Sequence, residues 1–243
     1  ALFVGGAGIA QRMVAEYRLK LQIRGQFGTY VSPDLVRQLE NDPSLLRLGG
    51  ETKTMTFLFC DIVGFTPISE KLQEDPQKLV GLINRLLTQL TDCVLKHGGT
   101  VDKFMGDCIM AFWGAPLDCK DHAQRAMLTA KDMLGLLDEL NAQLDADDLP
   151  NLHVGVGINT GQCVVGNMGS EARFDYSVLG DAVNTASRLE GQTRNYDDWI
   201  LIGESTANTE RSWVRYVDAI SVKGKSEPLH VYTLKDEIAD VAN

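Results

Sequence analysis

TVDKFMGDCIMAFWG, residues 100–114, is the stretch whose reading decides the fold. Two short runs of apolar, β-branched and aromatic side chains meet at Met105-Gly106, so the segment reads as a β-hairpin with Asp107 at or just after the turn. Upstream, residues 76–96 place Leu79, Leu82, Ile83, Leu86, Leu87 and Leu90 on one helical face, and Gly98-Gly99 ends that helix. Before it come a short helical segment around SEKL (69–72) and the apolar run TMTFLFC (54–60), a buried strand entered by a turn at Gly49-Gly50. Downstream a helix is expected over about 119–144, closed by the acidic loop DADDLP. Residues 152–169 alternate apolar and small side chains around Thr160-Gly161, which suggests a second hairpin. FDYSVLG reads as a strand, DAVNTASRLEGQT as a helix, WILIG as a strand, and 214–234 as two strands around KGKSEP. Hairpins separated by helices point to an α+β fold, an antiparallel-rich sheet covered by helices on one face, rather than a doubly wound parallel sheet.

The formal net charge of -10 argues against nucleic acid as a partner, because phosphate backbones require a surplus of Lys and Arg. A small anion arriving with divalent cations is compatible with that charge. Five cysteines form an odd set without a C-x-x-C pair, so neither a disulfide framework nor a zinc site is indicated, and the compartment reads as reducing cytoplasm. Residues 1–10, ALFVGGAGIA, are apolar and are followed by Arg12, Arg18, Lys20 and Arg24 against a single Glu16. That order is expected at the cytoplasmic end of a transmembrane helix; an amphipathic helix that docks on its own domain or pairs with a partner helix is the alternative. Residues 11–48 read as a helix and connector, with Ser32-Pro33-Asp34 opening a short helix, and 49–243 as the main domain.

Two carboxylates stand out. Asp61 ends the buried strand and is followed at once by a Gly-containing turn, where a carboxylate and free backbone N–H groups can share a metal and a phosphate. Asp107 lies at the mouth of the hairpin behind Gly106. If the two strands are neighbours, the carboxylates converge on divalent cations in the arrangement used for in-line phosphoryl chemistry. Taken singly, Asp61 could equally cap the next helix and Asp107 could be an ordinary turn residue.

FCDIVGFT (59–66), KFMGD (103–107), YSVLGDAVNTASRLE (176–190) and the late VKGK (222–225), in this order, resemble the catalytic domain of class III adenylate and guanylate cyclases, from about residue 54 to 234. The resemblance implies a ferredoxin-like or palm-like sheet and conversion of ATP into 3′,5′-cyclic AMP and pyrophosphate with two divalent cations, Mg²⁺ or Mn²⁺. It makes Asp61 and Asp107 the metal ligands, with the Ile62 carbonyl completing one shell, and turns the Phe65 and Thr66 amides toward the phosphates. Asn184 would orient the ribose, Arg188 would stabilise charge on the transferring phosphate, and Lys223 would hold the leaving phosphates. Without the resemblance, Asn184 and Arg188, four apart, would be taken as a solvated helix face.

By the same resemblance, Lys103 and Ser177 would occupy the positions that read the base: a lysine donates to a ring nitrogen, and a hydroxyl accepts from the exocyclic amine of adenine. Guanylate cyclases of the family usually carry Glu in place of Lys103, so adenine is favoured, and Ser177 resembles a bacterial subgroup with Ser or Thr there. The resemblance further implies a head-to-tail homodimer, metal ligands from one subunit and the remaining residues from the other, on the cytoplasmic side of a membrane-anchored bacterial protein with an N-terminal sensor. The alternatives are a guanylate or other nucleotide cyclase and a non-catalytic nucleotide-binding homologue.

Overall fold

The computed structural model describes residues 49–170, 173–221 and 228–236. Among the described residues eight strands and six α-helices follow in the order β1 (Gly49–Ile62), α1 (Phe65–Lys71), α2 (Pro76–Lys96), β2 (Thr100–Met105), β3 (Cys108–Trp113), α3 (His122–Gly135), α4 (Leu137–Ala146), β4 (Val154–Ser170), β5 (Arg173–Leu179), α5 (Asp181–Gln192), β6 (Ile200–Gly203), α6 (Glu204–Ala207), β7 (Val214–Ile220) and β8 (Leu229–Leu234). The strands form one mixed sheet in the order β2-β3-β1-β4-β6-β8-β7, with β5 paired to β4. Pairing is antiparallel for β1 with β3, β2 with β3, β6 with β8 and β7 with β8, and parallel for β4 with β6. Asn167–Tyr176 belongs with Gly49 to one compact unit, and Gly50–Gly166 with Ser177 onward forms a larger second one. The α+β class is the one expected.

Local chemistry sets the elements. Pro76 occupies the first turn of α2, where its missing N–H costs nothing, and the Asp75 carboxylate accepts from the Lys78 N–H at 3.2 Å. Leu82, Leu86, Leu90 and Val94 then recur every fourth residue and are all buried. Each contributes roughly 1.5–3 kcal/mol of burial. The helix stops at Gly98-Gly99: Gly98 takes a left-handed φ of 69°, and a Cβ on Gly99 would lie 2.6 Å from the Trp113 ring. The Trp113 indole N–H donates to the His97 carbonyl at 3.1 Å, fastening the end of α2 to the hairpin.

The main core packs α2, α3 and α4 against one sheet face through Leu58, Cys60, Ile62, Ile109, Ala111, Val156, Ile158, Ile200 and Ile202. On β6 the intervening Leu201 points the other way, into a smaller cluster with Leu189 of α5, Ile220 and Val231. Helices therefore cover both faces, where the sequence reading placed them on one. The small residues of β4 explain it. A Cβ on Gly157 would meet the Ala186 carbonyl and the Glu190 amide at 2.2 Å, and one on Gly155 would meet Thr193. Alternate glycines thus open a channel for α5, and β4 runs as one 17-residue strand instead of turning back at Thr160-Gly161. The helix expected over 119–144 is divided into α3 and α4 at Leu136, directly after Gly135, a weak helix former. Among the described residues no helix is long and apolar enough to cross a membrane; residues 1–48, including the expected end of a membrane helix, lie outside them.

Candidate active site

Asp61 follows Cys60 on β1 and so faces away from the main core, on the α5 side of the sheet. Its side chain is 22% exposed. It does not cap α1: the N-cap is Gly64, with φ 72°, and no side chain bonds there. The Ile62 N–H instead donates to Asp61 Oδ1 at 3.0 Å. Pairing of Met105 with Cys108 leaves Gly106 and Asp107 as a two-residue turn, with Gly106 supplying the positive φ of 69°. Pairing of Cys60 with Ile109 sets the end of β1 beside that turn. The Asp107 carboxyl stands close enough to that of Asp61 to raise its pKa. Asp107 Oδ2 is buried and makes no hydrogen bond.

Burial, the negative charge and close approach of Asp107 and the charge of Glu190 push the Asp61 carboxyl up to about 7. Glu190, 8% exposed on α5, is itself raised by burial, opposed by Arg194 and reinforced by Asp107. Arg194 Nη2 lies 3.5 Å from Asp61 Oδ2 and 3.8 Å from Glu190 Oε1. Two converging carboxylates with a buried oxygen lacking a donor fit a hard divalent cation, which Mg²⁺ chemistry holds with one or two carboxylates plus substrate phosphates. Among the described residues no cluster of three or more His, Cys, Asp or Glu side chains suits a metal, so phosphate oxygens would have to complete the shell.

A pH dependence follows. Because the folded state holds the Asp61 proton above the unfolded value of roughly 4, metal-free stability should fall as pH rises from there through about 7. Thermal melts of wild type and Asp61→Asn across pH 4–8 check this: the decline attributable to Asp61 should vanish in the variant, and stabilisation by Mn²⁺ should grow with pH.

After Asp61 the chain turns through Ile62, Val63 and Gly64 into Phe65 and Thr66, the first two residues of α1. The Val63 N–H donates to the His153 carbonyl at 2.8 Å, fixing the turn, and the His153 ring stacks on Trp199. First-turn amides have no intrahelical acceptor, so those of Phe65 and Thr66 can serve an anion. Lys103 and Ser177, 74 residues apart in sequence, meet at one carboxylate: Ser177 Oγ donates to Asp102 Oδ2 at 3.0 Å, and Lys103 Nζ stands 3.8 Å from the same oxygen.

Asn184 and Arg188 lie one turn apart on α5, Asn184 exposed and Arg188 with a buried Nη1 that makes no hydrogen bond. Among the described residues neither makes a hydrogen bond or ion pair with Asp61 or Asp107. Lys223 lies outside the described residues. The structure thus joins the carboxylates in one cluster and Lys103 and Ser177, the positions expected to read the base, in another. Sequence reasoning missed Glu190 and Arg194, whose spacing of four was the available signal, and gave no role to Asp102, the neighbour of Lys103.

The adenylate and guanylate cyclase catalytic domain matches residues 50–236. The chain belongs to that family. An adenylate cyclase of Anabaena cylindrica is 40% identical over 190 residues, 76% of this chain and 37% of the relative. Adenylate cyclase 1 of Rhizobium meliloti is 32% identical over 212 residues, 85% of this chain and 31% of the relative. The chain therefore spans about a third of the length of these relatives. Among solved structures, the adenylyl cyclase CyaB of P. aeruginosa superimposes with a TM-score of 0.73 at 37% identity, covering 80% of this chain and 100% of that one. The guanylyl cyclase Cya2 does so with 0.70 at 36%, covering 77% and 94%. This cyclase domain therefore has relatives of both substrate classes.

Proposed function

We propose that this domain is an adenylate cyclase that closes ATP into 3′,5′-cyclic AMP and pyrophosphate at sites shared between two copies of the chain. The observation that carries the reading is the contact between Asp61 and Asp107, with a buried Asp107 oxygen that lacks a donor. On this reading Asp61, Asp107 and the Ile62 carbonyl would hold two divalent cations, which would supply Lewis-acid activation of the ribose 3′-hydroxyl and charge neutralisation of the triphosphate. The 3′-oxygen attacks the α-phosphorus, the bond to the bridging oxygen of the β-phosphate breaks, and pyrophosphate leaves. Phe65 and Thr66 offer amide donors to the phosphates, Lys223 pairs with the leaving group, and Asn184 orients the ribose. Arg188 supplies a guanidinium to the α-phosphoryl oxygens, a role supported by its buried nitrogen without an acceptor.

Arg188 Nη1 is buried without an acceptor, and among the described residues neither Asn184 nor Arg188 bonds to the carboxylate pair of its own chain, which supports completion of each site by a second copy. Residues 1–10 are read as the end of a membrane helix and 11–48 as the helix and connector that carry a signal to a cytoplasmic catalytic domain at 49–243.

The test is product analysis. Purified protein with Mn²⁺ or Mg²⁺ should yield cyclic AMP and pyrophosphate in equal amounts from ATP, and GTP should compete poorly; cyclic GMP as the main product, or no turnover by a folded dimer, would overturn the assignment. Lys103→Glu should lower kcat/KM for ATP at least about tenfold, since an acceptor replaces the donor to the ring nitrogen. An unchanged ATP preference would remove Lys103 from base reading.

A further inference from the structure

Asp102 is the extra residue of a bulge in β2, where the register with β3 slips between Val101, opposite Ala111, and Lys103, opposite Met110. In a regular strand neighbouring side chains leave opposite faces of the sheet; a bulge breaks the alternation and re-aims them. Here it lets two consecutive side chains meet. The Asp102 side chain is 1% exposed, the Lys103 side chain is 44% exposed, and Lys103 Nζ comes within 3.8 Å of Asp102 Oδ2. The same oxygen accepts from the hydroxyl of Ser177, a buried residue of β5.

We propose that Asp102 is a positioning residue for base selection: it commits the Ser177 hydroxyl proton inward and steadies the Lys103 ammonium, so that the pair matches adenine and mismatches guanine. The proposal rests on the reading that Lys103 and Ser177 face the base. A free serine hydroxyl is ambiguous, with one donor and two lone pairs, and it rotates to suit its partner. An ionised carboxylate is acceptor-only, so a hydroxyl 3.0 Å from it presents outward nothing but lone pairs.

Adenine offers an acceptor at its ring N1 and a donor at its exocyclic amine, which match the lysine and the oriented serine. Guanine in the same pose offers an N–H where the lysine donates and a carbonyl where the serine accepts, so both contacts fail. Were Ser177 free to turn, its proton would go to the guanine carbonyl and one mismatch would vanish. Asp102 closes that route. A weak discriminator is thereby made directional by a group that never touches the nucleotide.

The experiment measures the ratio of kcat/KM for ATP to that for GTP, together with equilibrium binding of nonhydrolysable ATP and GTP analogues, in dimeric protein. Asp102→Asn keeps the volume but can donate to Ser177 and release its proton outward. The ATP preference should fall by about tenfold, chiefly through better use and binding of GTP, and Ser177→Ala added to Asp102→Asn should cause no further loss. Ser177→Asn leaves the buried carboxylate in place and guards against misfolding of the first variant. With Asp102 holding the amide NH₂, the side-chain carbonyl faces the base and the ATP preference should persist. A wild-type preference in Asp102→Asn, or its loss in Ser177→Asn, while Ser177→Ala lowers it, overturns the role of Asp102 alone. An unchanged preference in Ser177→Ala as well would show that the base is not read at these positions and would remove the proposal with that reading.

Discussion

Asp61→Ala and Asp107→Ala are each expected to lower cyclase turnover by about a thousandfold or more while leaving the protein folded, because catalysis of this kind rests on charge placed before the reaction begins. Both side chains sit at the rim of the sheet, Asp61 near the end of β1 and Asp107 in the two-residue turn of the hairpin, so neither supports the main core. Removing either also relieves the like-charge contact that, with burial, pushes the Asp61 carboxyl upward, so the metal-free variant should melt no lower than wild type at neutral pH. Steady-state kinetics with Mn²⁺-ATP, paired with thermal melts, separate the two effects. Loss of activity accompanied by unfolding would assign the carboxylates a structural role.

The hairpin was legible because its two apolar runs and Gly106 signal a tight reversal without help from distant residues. So was α2, whose Asp75-Pro76 start and four-residue leucine spacing are local signals. The 152–169 segment was misread for a physical reason. Its glycines answer to α5, which lies nearly thirty residues further along the chain, and only the closeness of Gly157 to Ala186 and Glu190 shows that the small residues make room for a helix and do not mark a turn. The second helical layer was missed with it.

At the site, strand ends and turns made Asp61 and Asp107 visible as candidates, but their convergence depends on the register of β1 with β3, which local sequence does not encode. Asp102 was hidden for a similar reason: a bulge, not a motif, turns it inward beneath Lys103, and its partner Ser177 is 75 residues away. Glu190 was concealed by its charge, since a glutamate on an amphipathic helix is normally taken as solvated and this one is 8% exposed.

The second large effect concerns assembly. If the carboxylates act with Asn184 and Arg188 of another copy, then Asp61→Ala and Arg188→Ala should each be nearly inactive alone yet restore activity together. In a mixed dimer one site carries both defects and the other carries neither. Random exchange makes half of the dimers mixed, each with one of two sites intact, so activity should return to about one quarter of wild type. The recovered activity should fall on dilution as dimers dissociate. Two inactive mutants in separate tubes would thus give one active mixture.

That mixing experiment tests the central claim most directly. Equimolar Asp61→Ala and Arg188→Ala proteins, each shown to be folded and dimeric, are allowed to exchange subunits and are assayed for cyclic AMP formation from Mn²⁺-ATP. The account predicts recovery to about a quarter of wild-type activity; mixed dimers that form and remain as inactive as either variant alone would contradict it.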